Sequence, residues 1–158
     1  MFSDTVTDIA GLLIDRGDTV SVAESSTGGL ISANLLSVPG ASAYFQGGSI
    51  VYTLASRRAF LDLDRARVRE LKPLTEAMVA EFARAAREKL DTTWGIAELG
   101  ASGPAGTPYG HGPGISVIAI SGPCSISSTT RTGKDDRHSN MLAFTEAGLL
   151  LFRRALQT

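Results

Sequence analysis

The stretch from Thr19 to Leu36 constrains the fold more than any other part of the chain. Thr19-Val20-Ser21-Val22-Ala23 alternates as a strand does, and Leu30-Ile31-Ser32-Ala33-Asn34-Leu35-Leu36 is helix-forming. Glu24-Ser25-Ser26-Thr27-Gly28-Gly29 joins them, so a strand gives way to a helix through one tight polar turn. Three hydroxyls and two glycines thus fall at a helix start, where backbone N–H groups lack intrahelical partners and the dipole favours negative charge. An anion or a developing oxyanion is expected there, with Gly28 and Gly29 allowing close approach to the backbone. Helix capping alone needs one hydroxyl, and this turn carries three. The spacing and the lysine of a phosphate loop are absent, as is a G-x-S-x-G elbow.

A chain of 158 residues, 43% hydrophobic and 20% charged, can bury a sizeable core as one domain. Its formal net charge of −1 gives no basic field for nucleic acid or anionic lipid. The single cysteine, Cys124, allows no internal disulfide and is expected to be a small buried side chain. No stretch is long and apolar enough for a membrane span, and Asp4 and Asp8 stand where a leader would be basic. A cytoplasmic protein is expected. His111 and His138 have no partners at metal-ligand spacing, so neither a metal nor a cofactor is expected.

Before the turn, Val6, Ile9, Ala10 and Leu13 place a helix over residues 4–16, with Thr5 and Asp8 resembling a capping box and Gly17 ending it. After it, a helix over 28–37 stops at Val38-Pro39-Gly40. Residues 43–53 read as a second strand, interrupted by Gly47-Gly48 as a bulge or a ligand approach. Ser56–Phe60 reads as a short helix, and residues 61–72 as an acidic–basic surface connector. Thr75 caps the clearest helix, whose buried stripe is Val79, Phe82, Ala83, Ala86 and Leu90. A strand over 92–99 leads into a glycine-rich loop over 100–114, followed by strands over 115–120 and 124–132 joined as a hairpin. The last helix, 137–156, is apolar almost all round from Ala147 to Phe152, which suits deep burial or a contact between copies in a homo-oligomer.

Strands alternating with helices imply a mainly parallel sheet covered on both faces, and the final hairpin requires one antiparallel strand. In such sheets ligands bind beyond the carboxyl ends of the strands. The loops after Ala23 and after Leu99 occupy such ends and are expected to face each other across one pocket. Arg137 at a helix start opposes the dipole, which points to a role such as phosphate binding, although Asp135 and Asp136 could simply offset it. Tyr52 could hydrogen-bond Ser25 or serve as packing, and Glu24 could orient the turn through backbone N–H groups.

Four stretches together resemble the CinA C-terminal domain family, known for nicotinamide mononucleotide amidohydrolase activity. Ala23-Glu24-Ser25-Ser26-Thr27-Gly28-Gly29 is similar to the family's A-E-S-C-T-G-G, with Ser26 in place of Cys. Residues 40–52 resemble G-S-S-x-x-F-x-x-G-x-x-x-Y. Leu99-Gly100-Ala101-Ser102-Gly103-Pro104 resembles S-G-I-A-G-P, and Asp136-Arg137 resembles the end of G-D-R. The resemblance implies a three-layer α/β/α sandwich. It also implies hydrolysis of nicotinamide mononucleotide to nicotinic acid mononucleotide and ammonia, with a pyridine nucleotide as the small-molecule partner. Ser25 falls on the family's nucleophile, and Tyr52 and Arg57 complete the implied catalytic set. Glu24, Thr27, Gly28, Gly29, Gly100, Ser102, Gly103 and Arg137 are the implied substrate-binding set.

The sequence also departs from the family. Arg57 stands where the family has a lysine partnering the nucleophile, and Leu54 where it usually has asparagine. Leu99 replaces the first Ser of S-G-I-A-G-P, and Gly112-Pro113-Gly114 alters a later P-V-G. A desolvated lysine can lose its proton and act as a base, whereas a guanidinium cannot. Weakened deamidase turnover with retained binding is one expectation, and an inactive nucleotide-binding sensor is the alternative.

Overall fold

Continuous burial separates the central strands from the edges. The computed structural model describes all residues, Met1–Thr158. Strands β1 (Val20–Glu24) and β4 (Ile115–Ser121) are buried along their whole length, and β3 (Trp94–Ala101) at every position but Gly100. Strand β2 (Phe45–Ile50) alternates between half-buried and exposed positions, and β5 (Ile126–Arg131) is half-buried except at Thr129 and Arg131. The five form one sheet in the order β2-β1-β3-β4-β5, with β1 parallel to both neighbours and β4 antiparallel to β3 and β5. One strand in five therefore runs against the rest, because the hairpin after the glycine-rich loop reverses the chain.

Six helices complete the chain: α1 (Ser3–Arg16), α2 (Leu30–Leu36), α3 (Leu54–Ser56), α4 (Arg65–Val68), α5 (Glu76–Leu90) and α6 (Arg137–Leu156). On one sheet face α1, α2 and α6 enclose a core that includes Leu13, Val22, Ile31, Trp94, Ile96, Ile118 and Phe152. On the other face α5 sets Val79, Phe82, Ala83 and Ala86 against Ala23, Ala97, Leu99, Val117 and Ala119. The result is a three-layer α/β/α sandwich. The small residues Ala23, Ala97 and Ala119 let α5 lie close to the sheet, and a Cβ at Gly95 would sit 2.1 Å from the Ala83 carbonyl.

Several local expectations are corrected. Phe2 rather than Thr5 is the N-cap of α1, and no side chain caps that end. Leu90 is 48% exposed because α5 ends there, Asp91 turning the backbone to φ +50°. The second strand is shorter than the stretch 43–53, since Ala41–Ala43 forms a 3-10 turn. Its glycines answer to the protein's own packing, not to a ligand: a Cβ on Gly47 would meet Leu90 Cδ1 at 2.8 Å, and one on Gly48 would overlap Ser32 of α2. The register shift, with Val20 paired to Phe45 and Ser21 to Gly47, puts the bulge at Gln46. The third strand starts at Trp94 rather than at 92, because Thr92 and Thr93 bond to Ser21 and Thr19 at the strand entrance. Thr53 and Ser56 form a reciprocal capping box, so the helix begins at Leu54 and continues as a π-helical turn, Arg57–Leu61. Cys124 is half-buried rather than buried. In the apolar stretch of α6, Gly148, Leu149, Leu151 and Phe152 are buried, while Leu150 is exposed.

Candidate functional site

The polar turn after β1 already has an anion, and the chain supplies it. Glu24 is fully buried, and its carboxylate accepts from the N–H groups of Gly29, Ile31 and Ser32 and from the hydroxyls of Thr27 and Ser32, at 2.6–3.0 Å. It fills the N-terminus of α2, where a ligand anion was expected. Glu98, opposite Glu24 in the parallel register, holds the front of the same turn. Its Oε2 accepts from Ser25 N–H (3.2 Å) and Thr27 N–H (3.1 Å), and its Oε1 from the Ser26 and Ser116 hydroxyls. The Thr27 hydroxyl lies against both carboxylates. Burial pushes the Glu98 carboxyl above the ordinary carboxylate range, and the hydrogen bonds from Ser26, Thr27, Ser116 and Ser25 oppose this only in part.

Ser25 is what this framework presents. A cavity of about 600 Å³ opens beyond the carboxyl ends of β1 and β3. It brings together Ser25, Tyr52, Arg57, Gly100, Ser102, Gly103 and Arg137, so the two loops do face each other. Glu24, Thr27, Gly28 and Gly29 do not line it. They are engaged within the protein: the N–H groups of Thr27 and Gly29 and the Thr27 hydroxyl are taken up by the two glutamates, and the N–H of Gly28 by the Ser25 carbonyl. The Ser25 hydroxyl is engaged by no protein group, and neither is the Ser26 N–H.

Opposite Ser25, the glycine-rich loop contributes backbone. The N–H groups of Ser102, Gly103, Ala105 and Gly106 take part in no hydrogen bond within the protein. Gly103 has φ +94°, and a Cβ there would come within 2.6 Å of the Asp135 carbonyl, so only glycine lets this loop pack on the entry to α6. Gly100 is needed for a different reason, since its Cβ would displace Ser26 Oγ and Glu98 Oε1.

Two arginines supply all the charge of the cavity wall. Arg137 donates through Nη1 to the Gly103 carbonyl (2.7 Å) and through Nη2 to Tyr52 Oη (3.1 Å), tying the loop to the segment after β2. Tyr52 thus meets Arg137 rather than Ser25. Arg57 donates through Nε to the Val51 carbonyl (3.2 Å), and its guanidinium lies 5.2 Å from the Phe82 ring centroid. Neither arginine pairs with a carboxylate, Asp135 and Asp136 included, and no acidic residue lines the cavity. Burial lowers the Arg57 pKa, with Tyr109 opposing, and a guanidinium remains protonated all the same. No group of three or more acidic, histidine or cysteine side chains could hold a metal ion, and no helix is long and apolar enough to cross a membrane.

The profile of the CinA C-terminal domain matches residues 3–156. The chain belongs to that family. A CinA-like protein of Parasynechococcus marenigrum is 37% identical over 135 residues, covering 85% of this chain and 32% of its own. Another, from Synechococcus elongatus, is 31% identical over 157 residues, covering 98% of this chain and 37% of its own. The chain therefore spans about a third of the length of the curated relatives it matches. Among solved structures, a CinA superfamily protein of Klebsiella pneumoniae superposes with a TM-score of 0.89 at 22% identity, covering 98% of this chain and 97% of that one. The competence/damage-inducible protein CihA of Agrobacterium tumefaciens gives 0.88 at 24%, covering 99% and 95%. At those identities the likeness shows the fold.

Of the departures from the family pattern of the CinA C-terminal domain, Leu54, Arg57 and Leu99 line this cavity, whereas Gly112, Pro113 and Gly114 do not. Ser26, which stands in place of the family's Cys, donates to Glu98. Glu98 was missed by sequence reasoning. Its one signal is an acid in the strand Trp94-Gly95-Ile96-Ala97-Glu98-Leu99, which otherwise carries no charge. Phe82, assigned to the core, also carries Arg57 on its ring.

Proposed function

We propose that this CinA C-terminal domain binds a pyridine nucleotide in the Ser25 cavity and hydrolyses its amide slowly, giving nicotinic acid mononucleotide and ammonia from nicotinamide mononucleotide. The observation that carries the reading is one cavity holding a free serine hydroxyl, unbonded backbone N–H groups and two unpaired arginines. Ser25 Oγ adds to the amide carbon, and the carbonyl becomes an oxyanion stabilised by the unbonded backbone N–H groups of the loop that lines the cavity, Ser102 and Gly103 among them. Collapse breaks the C–N bond and expels ammonia, which takes the hydroxyl proton. Water then hydrolyses the ester on Ser25 and frees the acid.

Turnover is limited at the first proton transfer. A positioned base contributes about 10²–10⁴-fold, and Arg57 cannot accept a proton. Glu24 cannot relay through water to Ser25, because its carboxylate is enclosed by the α2 N-terminus and does not reach the cavity. The test is ammonia release from nicotinamide mononucleotide by purified protein, with Ser25→Ala as control. Wild-type turnover is expected to be slow, abolished by Ser25→Ala and raised about 10-fold or more by Arg57→Lys combined with Leu54→Asn. Turnover that survives Ser25→Ala would remove the nucleophile from the reading.

A further inference from the structure

The cavity wall carries two separate positive charges and no negative one, and their surroundings differ. Arg137 has Nη1 on the Gly103 carbonyl and Nη2 on Tyr52 Oη, and it stands beside the unbonded N–H groups of the loop 102–106. Several unbonded N–H donors along a cavity-lining loop, next to a fixed cation, suit a tetrahedral oxyanion with acceptors on all sides. Arg57 is held differently. Its Nε is engaged by the Val51 carbonyl and one face is shielded by Phe82, which leaves the terminal Nη groups free. Two parallel N–H donors on a planar, half-desolvated fork match a planar carboxylate. An uncharged amide offers that fork one acceptor and leaves a guanidinium of the wall without a counter-charge.

We infer that the cavity is built for a ligand with two separate anions, a phosphate at Arg137 and a carboxylate at Arg57, so that it prefers a carboxylated nucleotide to the corresponding amide. The inference rests on the reading that a pyridine nucleotide enters the Ser25 cavity, and it assigns Arg57 the job of recognising the acid. The arginine that slows hydrolysis of the amide is the group that holds the acid form. A domain of this kind responds to the deamidated nucleotide even where it makes little of it.

Calorimetric titration of the purified protein with nicotinamide mononucleotide and with nicotinic acid mononucleotide tests this without depending on turnover. The acid is expected to bind at least about tenfold more tightly, as for one charge-assisted bidentate contact. Arg57→Gln is expected to bring the two affinities within about twofold of each other, and Arg57→Lys to retain part of the preference through charge alone. Arg137→Ala is expected to weaken both ligands alike, by about tenfold or more. Thermal unfolding of each variant separates loss of contact from loss of fold. Equal wild-type affinities, or a preference that persists in a folded Arg57→Gln protein, would overturn the inference alone. Binding of neither ligand would overturn it together with the proposed function.

Discussion

Glu98 is the residue whose chemistry is most displaced from its sequence neighbourhood. It is fully buried, and its acid group reaches Ser26 and Ser116, which lie 72 and 18 positions away along the chain. Its Oε2 accepts from the Ser25 and Thr27 N–H groups and its Oε1 from the Ser26 and Ser116 hydroxyls, while burial disfavours the charged form against these donors. The raised pKa fixes the sign of the pH dependence. As pH rises above the ordinary glutamate value of about 4.3, the unfolded chain releases this proton while the folded protein keeps it, so stability falls until the folded value is passed. Glu98→Gln copies the neutral acid and does not titrate. Urea unfolding from pH 4 to pH 8 should show the Gln variant gaining on the wild type as pH rises; parallel curves would mean that folding does not raise the Glu98 pKa. Ser25, Ser102 and Arg137 could be placed from the sequence because each belongs to a motif with a fixed relation to a strand or helix end. Glu98 could not, since a lone acid in an apolar strand says nothing about which distant hydroxyls will meet it.

At the scale of elements, the same strand–turn–helix was legible and its ligand was misjudged. Reading donors at a helix start and inferring an anion was sound, as was the reading that Glu24 orients the turn through backbone N–H groups; what was missed is that the two are one, Glu24 filling the position expected for a ligand. Sequence alternation assigns Glu24 to a face but cannot show that α2 will lie across it. The cap carries a stability prediction. Glu24→Ala leaves three backbone N–H groups and the Ser32 hydroxyl without their acceptor, while the Thr27 hydroxyl keeps Glu98. At about 1–3 kcal/mol for a buried group left unsatisfied, part of it recovered by water, a loss of about 3 kcal/mol is expected. That corresponds to a midpoint lower by about 6–12 °C in thermal unfolding. A fall of only one or two degrees would show that water replaces the carboxylate. The segment after β2 was harder to read for another reason. A π-helical turn over Arg57–Leu61 has no periodicity that short windows reveal, yet it is the element that carries Arg57 into the cavity wall.

The whole molecule divides its apolar interior between the two faces of one sheet, and the site sits where both halves end. Leu13, Trp94, Ile118 and Phe152 pack on one face and Val79, Phe82 and Leu99 on the other, with alternate residues of β1, β3 and β4 serving each. Residues adjacent along a strand therefore belong to different cores, and neither helical layer can leave without exposing a face of the strands the other depends on. Two clusters in sequence or space need not mean two melting units. Trp94, the single tryptophan, lies edge-on to Phe152 with ring centroids 5.8 Å apart and reports on the α1–α2–α6 face alone. Phe82→Ala, on the α5 face, removes a large buried side chain at a cost of about 3–5 kcal/mol. If the sheet couples the two cores, that change should move the Trp94 fluorescence transition as far as the far-UV ellipticity transition, and the two should coincide in wild type and variant alike. A variant in which ellipticity falls first while Trp94 fluorescence holds its wild-type midpoint would mean that α5 detaches by itself. Arg57, which lies over Phe82, would then sit on a layer able to open separately from the one that holds Arg137.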